Sequence, residues 1–354
     1  MRTFSSTVIS AIALLGGASA FFRLPCGEPI IHTRIDPIIA PGQKPANHVH
    51  TVHGAKNFAS NSTYETLRAS TCTSCKDLSN YWFPKLYFRD PKTKQFEAVP
   101  NGGLLVYYLN RGDADVANGG PGLKAFPPGF KMISGNPRWR SKKFATQTGT
   151  QEELRQRATK WSCLRSGGNP SYTGYGFPTT DCENGFRAEL HMPSCWDGKN
   201  VDSADHMSHT AYLSGLDNGK CPSTHPVAHI HLFYEVTWDV HSFAGRWTAS
   251  DGWPFVYATG DATGYSWHGD FQNGWETTVL QKAIDTCNNP KDDTINGIIE
   301  ACKAFTLQDL TNTCKAVPEL SEVVTSKLTK LPGCNPIQAG PGDATIYSDS
   351  NCPA

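Results

Sequence analysis

The sequence predicts a mainly β fold: an antiparallel β-sandwich or jelly-roll-like core with long loops and a small disulfide-stapled helical C-terminal region. Three observations predict it. Gly and Pro, 32 and 24 of 354 residues, are spread along the chain rather than massed in one linker. Between them lie short runs rich in Tyr, Phe, Val and Trp, at 104–109, 186–192, 227–240 and 254–259, the texture of strands joined by turns. After residue 275 the apolar spacing changes to three and four, and five of the twelve cysteines fall there, which reads as short helices held by disulfides.

In chain order, Arg2, the apolar run 8–15 broken by Ser10, and Ala18-Ser19-Ala20 have the layout of a secretory signal. This places a signal peptide at 1–20 and the mature start at Phe21. A β-rich core domain is expected over 21–285. Its clearest strand covers 227–240, where Ala228, Ile230, Leu232, Tyr234, Val236 and Trp238 alternate with His229, His231, Glu235, Thr237 and Asp239. That period of two predicts one buried and one wetter face. One exposed helix is expected at 150–160, with Thr150 as cap and Glu153 three residues on. A Cys-rich helical region packed on the core is expected over 286–354, and short helices after residue 275 at 277–286, 297–305 and 319–328.

Composition excludes several classes. Lys+Arg and Asp+Glu both number 32, so no broad basic surface exists for nucleic acid. Charged residues make up 18% and aromatics 11%, which excludes a disordered chain. No stretch beyond the signal approaches the roughly 20 apolar residues of a spanning helix, and the C-terminus lacks the tail of a lipid-anchor signal. A secreted, extracellular monomer without a membrane anchor is expected. Twelve cysteines, an even number, fit six structural disulfides in an oxidising compartment. Cys72-x-x-Cys75 lacks the second pair that zinc would need. Asn61-Ser62-Thr63 is a glycosylation sequon.

Twelve histidines fall into groups. His48 and His50, if on a strand, project from one face and could bind a divalent metal or flank a substrate; the alternative is a pair of hydrogen-bonded loop histidines. A second group holds Asp197, Asp202, Asp205, His206 and His209, able to hold a hard cation or present an acid/base pair, unless it is a polar loop held by its own turn hydrogen bonds. In a third, His229, His231 and Glu235 reproduce the ligand spacing of a cupin strand without its flanking glycines, so a solvated polar face is the stronger reading. The fourth, 259–275, places Asp261, His268 and Asp270 among glycines and aromatics, a pattern suited to a carbohydrate groove; a structural glycine-turn loop is the alternative.

These segments resemble a family of secreted, mostly fungal proteins catalogued as a domain of unknown function. The resemblance lies in FRLPCGEPIIHTRIDPIIAPGQKPANHVHTVHG (22–54), LRASTCTSCKDLSNYWFPKLYF (67–88), MPSCWDGKNVDSADHMSHTAY (192–212), CPSTHPVAHIHLFYEVTWD (221–239) and TGDATGYSWHGDFQNGW (259–275), and covers about 21–305. Members of the family often read Arg-Leu-Pro where this chain has Ala228-His229-Ile230, which counts against His229 and His231 as shared catalytic groups. Some relatives append wall-binding carbohydrate modules, which implies a glycan setting.

The function expected from the sequence is a carbohydrate-active enzyme, a hydrolase or lyase acting on cell-wall polysaccharide. In a hydrolase, Asp205 and Asp270 would flank the scissile bond, with His206 and His268 orienting them and Asp197, Asp261 and His209 nearby. A lyase would use His50 or His268 as base and Tyr265 as donor. An N-terminal histidine brace is unavailable because residue 21 is Phe. The rival class is a non-catalytic wall-binding or host-interaction protein.

Overall fold

A computed structural model describes residues 21–287, 302–304 and 314–353. The expected signal segment 1–20, and residues 297–301 and 305 of the expected helix at 297–305, lie outside the described residues. The strands run β1 (Phe21–Cys26), β2 (Ile31–Thr33), β3 (His50–Gly54), β4 (Asn80–Pro84), β5 (Leu86–Arg89), β6 (Phe96–Ala98), β7 (Asn101–Leu109) and β8 (Lys131–Gly135). They continue with β9 (Thr159–Cys163), β10 (Tyr172–Gly174), β11 (Phe186–His191), β12 (Cys195–Trp196), β13 (Thr210–Ala211), β14 (Val227–Ala228), β15 (His231–Trp238), β16 (Phe255–Tyr257) and β17 (His268–Gln272). Helices are α1 (Tyr64–Arg68), α2 (Gln151–Arg157) and α3 (Thr277–Thr286).

The fold is mainly β, with two large antiparallel sheets. A six-stranded sheet has the order β1-β7-β15-β11-β9-β10, and a five-stranded sheet the order β2-β3-β4-β17-β8. Period-two alternation decides which side chains meet between them. From the six-stranded sheet, Val106, Tyr108, Leu190, Leu232, Tyr234 and Trp238 enter one buried cluster with Tyr81, Phe83, Met132 and Phe271 of the other. Aromatic edges lock the layers: Phe83 meets Trp238 with ring centroids 5.9 Å apart, and Tyr81 meets Tyr234 at 5.8 Å. Between the layers the Tyr108 hydroxyl meets that of Tyr81 at 2.7 Å, and Tyr81 in turn donates to Asp77.

The opposite parity of the five-stranded sheet faces outward from the sandwich. Val52 and Trp82 pack there in a second cluster with Ile30, Ile35, Ile38 and Phe58. Cys314 and Ala316 of the C-terminal tail join the same cluster. His50, His268 and Asp270 share this parity, so the sandwich leaves them beneath the tail rather than between its layers. Six disulfides use every cysteine, and Cys72 and Cys75 divide between two of them, Cys72–Cys314 and Cys26–Cys75. Among the described residues, no helix is long and apolar enough to cross a membrane.

Three local expectations are corrected. Residues 319–328 form no helix. The segment carries β-branched Val323, Val324 and Thr325, weak helix formers, and lies along the body instead. Glu322 pairs with Arg34 at 2.9 Å, the Val324 carbonyl accepts from Tyr87, and Leu328 exchanges backbone hydrogen bonds with Phe96. The helix at 150–160 stops at Arg157, and its Glu153, Leu154 and Gln156 are buried. The alternating strand is broken after Ala228, and its supposed wet positions His229 and His231 are buried, covered by neighbouring segments.

One buried charge offers a test of this packing. Lys85, between β4 and β5, is 2% exposed, and burial pushes its ammonium from 10.5 down to about 7. From pH 7 to 10.5 the unfolded chain therefore binds the proton more tightly than the folded one. The stability cost is full below pH 7 and fades as pH rises through that interval. Lys85→Met should add about 3 kcal/mol at pH 8, from 1.36 kcal/mol per unit, and under 1.5 kcal/mol at pH 10. Urea unfolding at both values checks it; an equal gain at both would show that the amine is not the cause.

Candidate functional site: a buried three-histidine cavity

His50 opens β3 and pairs in register with Pro84 of β4, while His268 opens β17 on the far side of β4. Pro84 has a compact ring, so the two imidazoles look across it over one face of the sheet. His48 sits in the bend just before β3 and turns to the same place. Ring centroids are 4.4 Å apart for His48 and His50, 5.0 Å for His48 and His268, and 6.3 Å for His50 and His268. One ring nitrogen from each lies within 4.8 Å of the other two. Gly135, opposite His268, permits the close approach. Its φ is +80°, and a Cβ there would stand 2.2 Å from the Trp267 carbonyl oxygen.

Backbone carbonyls set the tautomers. His50 Nδ1 donates to the Ile35 oxygen at 3.0 Å, and His268 Nδ1 donates to the Ser266 oxygen at 2.7 Å. A carbonyl can only accept, so both neutral rings present a bare Nε2. This is the outer-shell arrangement that orients metal-ligating histidines. His268 Nε2 faces His48 Nε2 at 3.1 Å, and His50 Nε2 is buried without a hydrogen-bond partner. Burial pushes all three rings below the usual histidine range, His268 to about 3. They are therefore neutral and competent as ligands at physiological pH.

Asp270 completes the polar side of the site. It is 2% exposed, and its Oδ2 has no hydrogen-bond partner. Burial and then the neighbouring charge of Asp36 push its carboxyl well above the usual range. The three histidines, Asp270 and Asp36 line a cavity of about 300 Å³. Its remaining walls combine Ile39, Ile133 and Pro45 with a roof from the tail, including Asn335, Gln338 and Ile346. The roof is pinned by Asn335 to the Asn47 carbonyl, by Gln338 N–H to the Gly260 carbonyl and by the Cys334–Cys352 disulfide.

Arg140 lines the cavity as well, and Asp261 braces it from beside. Asp261 accepts from the Thr263 N–H and hydroxyl and from the Ser266 N–H, which shapes the turn leading to His268. Arg140 spreads its donors over the Thr259, Gln338, Pro137 and Trp139 carbonyls and lies 3.7 Å from Asp261.

The 197–209 group lies elsewhere. Asp197 accepts from the N–H groups of Lys199 and Asn200. Asp205 accepts from those of Met207 and Ser208 and from the Ser203 hydroxyl. Burial opposes ionisation of Asp205, but the Ser208 and Met207 donors outweigh it and hold the carboxyl below its usual range. His206 pairs with Asp202 at 2.8 Å, and His209 is held between Ser203 and the Lys131 carbonyl. Asp205 lines a separate cleft with Arg155, Tyr212 and His225, so it does not share a cavity with Asp270. The cupin-like set is also divided. His229 bonds the Lys124 carbonyl, His231 meets His191, and Glu235 accepts from Tyr107. In 259–275, Trp267, Phe271 and Trp275 are buried in the core, and Tyr265 does not line the histidine cavity.

Sequence reasoning did not single out Asp36 or the tail residues, because no local spacing links them to the histidines. An antiparallel β-sandwich with a buried three-histidine cavity is the class of protein that fold and site define. The chain belongs to the family described as Domain of unknown function (DUF1996), which it matches over residues 36–275. No curated protein and no solved structure matches it.

Proposed function

We propose that the chain is a secreted metal-dependent enzyme, a hydrolase or lyase, with cell-wall polysaccharide as its substrate class. One observation carries the metal reading: two buried polar atoms without partners, His50 Nε2 and Asp270 Oδ2, line the same cavity in which His48 and His268 aim Nε2 at each other. Buried polar groups are normally satisfied, and one divalent cation would satisfy the three imidazoles, leaving Asp270 beside it. Three imidazoles suit zinc, copper, iron or nickel, and three protein ligands leave a position for water or a substrate oxygen. In this reading His48, His50 and His268 hold the metal, and Asp270 moves the proton at the reacting oxygen.

The polysaccharide assignment rests on the resemblance to a secreted family with glycan-associated members. A wall-binding protein without catalysis would use aromatic faces at the surface, where Tyr172, Tyr175, Trp247 and Trp253 are half-buried, so the enzyme reading rests on the histidine cavity. Asn61, exposed just ahead of α1, is the proposed glycosylation position.

The test is a panel of wall polysaccharides, assayed with the secreted protein as isolated, after chelation and after addition of single divalent metals. Cleavage should vanish on chelation and return with one metal. New reducing ends without ultraviolet absorbance mark a hydrolase, and an absorbing unsaturated product marks a lyase. Cleavage indifferent to chelation overturns the metal reading. Co-sedimentation with a polysaccharide that no metal causes to be cut returns the protein to the binding class.

A further inference from the structure

We infer that His191, His231 and Asp217 form a second divalent-cation site, on the six-stranded sheet and independent of the histidine cavity. His191 ends β11 and His231 begins β15, its antiparallel neighbour. Because His191 is in register with Phe233, His231 lies two residues along on the diagonal, within reach of its ring. His191 Nδ1 stands 2.9 Å from His231 Nε2, and a carboxylate oxygen of Asp217 completes a set of ligand atoms all within 4.8 Å of one another.

The surrounding groups orient this set as an outer shell does. His231 is fully buried, and its Nδ1 is hydrogen-bonded to the Ser194 hydroxyl, which has the Met192 carbonyl as an acceptor at 3.5 Å. When Ser194 gives its proton to that carbonyl, it accepts from His231 Nδ1, and His231 Nε2 is left bare toward His191. Arg111 Nε holds Asp217 Oδ1 at 3.0 Å and fixes the carboxylate. Asp217 keeps a 44% exposed side chain, and His191 is only partly buried. A cation can therefore enter from solvent and retain water. Two imidazoles and a carboxylate with open positions suit iron(II), cobalt(II), nickel(II) or zinc. Arg111 offsets the charge of Asp217, so this site binds more weakly than the three-histidine site.

The experiment is titration of the metal-stripped full chain with cobalt(II), followed by visible absorption and calorimetry. Wild type should bind two cobalt ions. His191→Ala should bind one, and Asp217→Asn should weaken the second ion at least tenfold while leaving the first unchanged. Both positions are partly exposed, and unchanged melting of the metal-free variants confirms that they fold. His50→Ala should retain the weaker ion only. The inference is overturned if binding is the same in wild type, His191→Ala and Asp217→Asn, which would leave Ser194, His231 and His191 as a hydrogen-bonded chain. A single ion lost in His191→Ala but kept in His50→Ala would uphold this site and sink the cavity reading, so the two failures are distinguishable.

Discussion

Removing divalent metal from the wild-type protein is expected to lower its melting temperature by roughly 5–10 °C, and to lower that of a His48→Ala/His50→Ala/His268→Ala variant much less, through the weaker ion at His191, His231 and Asp217 alone. A cation that binds only the folded chain adds about 2.7 kcal/mol at a hundred times its dissociation constant and about 4.1 at a thousand times. For a chain of this size each kcal/mol moves the midpoint by about 2 °C. The two halves of the experiment separate metal loss from damage to packing. The triple variant melts lower from the start because it has lost buried rings, but chelation removes from it only the weaker ion of the second site. An equal drop in both proteins would place the stabilising ion elsewhere. The pH dependence has a definite sign. Protons displace metal only as the imidazoles titrate, and burial holds His268 at about 3, so metal should be retained well below the pH 6.5 at which an exposed histidine would release it.

Asp270→Asn is expected to reduce turnover by about 10²–10⁴-fold, the usual contribution of a positioned acid or base, while increasing the stability of the metal-free protein at neutral pH. The second effect follows from burial. A carboxyl whose folded value is raised keeps its proton in the folded chain after the unfolded chain has released it, so folding stability falls as pH climbs from the unfolded value of about 3.9 through the raised one. Asparagine has the same shape and no charge, so the variant should lack this fall. Bound metal works in the same direction by stabilising the carboxylate, and the gain should shrink in the loaded protein. Chemical denaturation of both proteins from pH 4 to pH 8, with and without metal, reads this out. A variant with full activity removes Asp270 from the chemistry. A variant with the same pH slope as wild type shows that the orphaned oxygen carries no cost.

Much of this was legible in the sequence, and the reason differs by element. The alternation at 228–238 named six residues that are all buried, because a strand's period of two survives whatever covers its other face. What covers that face could not be read: Phe126, Phe130 and Trp196 surround His229, and the loops carrying Ser194 and Asp217 enclose His231. His48 and His50 were recognisable as a pair from their spacing. Their meeting with His268 depends on β4 lying between β3 and β17, a strand order that no local pattern encodes. Residues 319–328 carry apolar spacing compatible with a helix, yet the tail takes its course from Arg34, Tyr87 and Phe96, all more than two hundred residues away.

The cavity is built from two stretches of the chain. His48, His50, His268 and Asp270 all fall within the segment shared with the family, 36–275, whereas the roof over them, Cys334 to Ile346, falls after it. The roof reaches its place through a loop closed by Cys334–Cys352, within 18 residues, and shares no sheet with the strands that carry the histidines. The strands that carry the histidines and the segment that covers them are thus separate stretches of the chain. Exchanging the tail is therefore expected to change the size and shape of what reaches the histidines, while the sheet that carries His50 and His268 is kept.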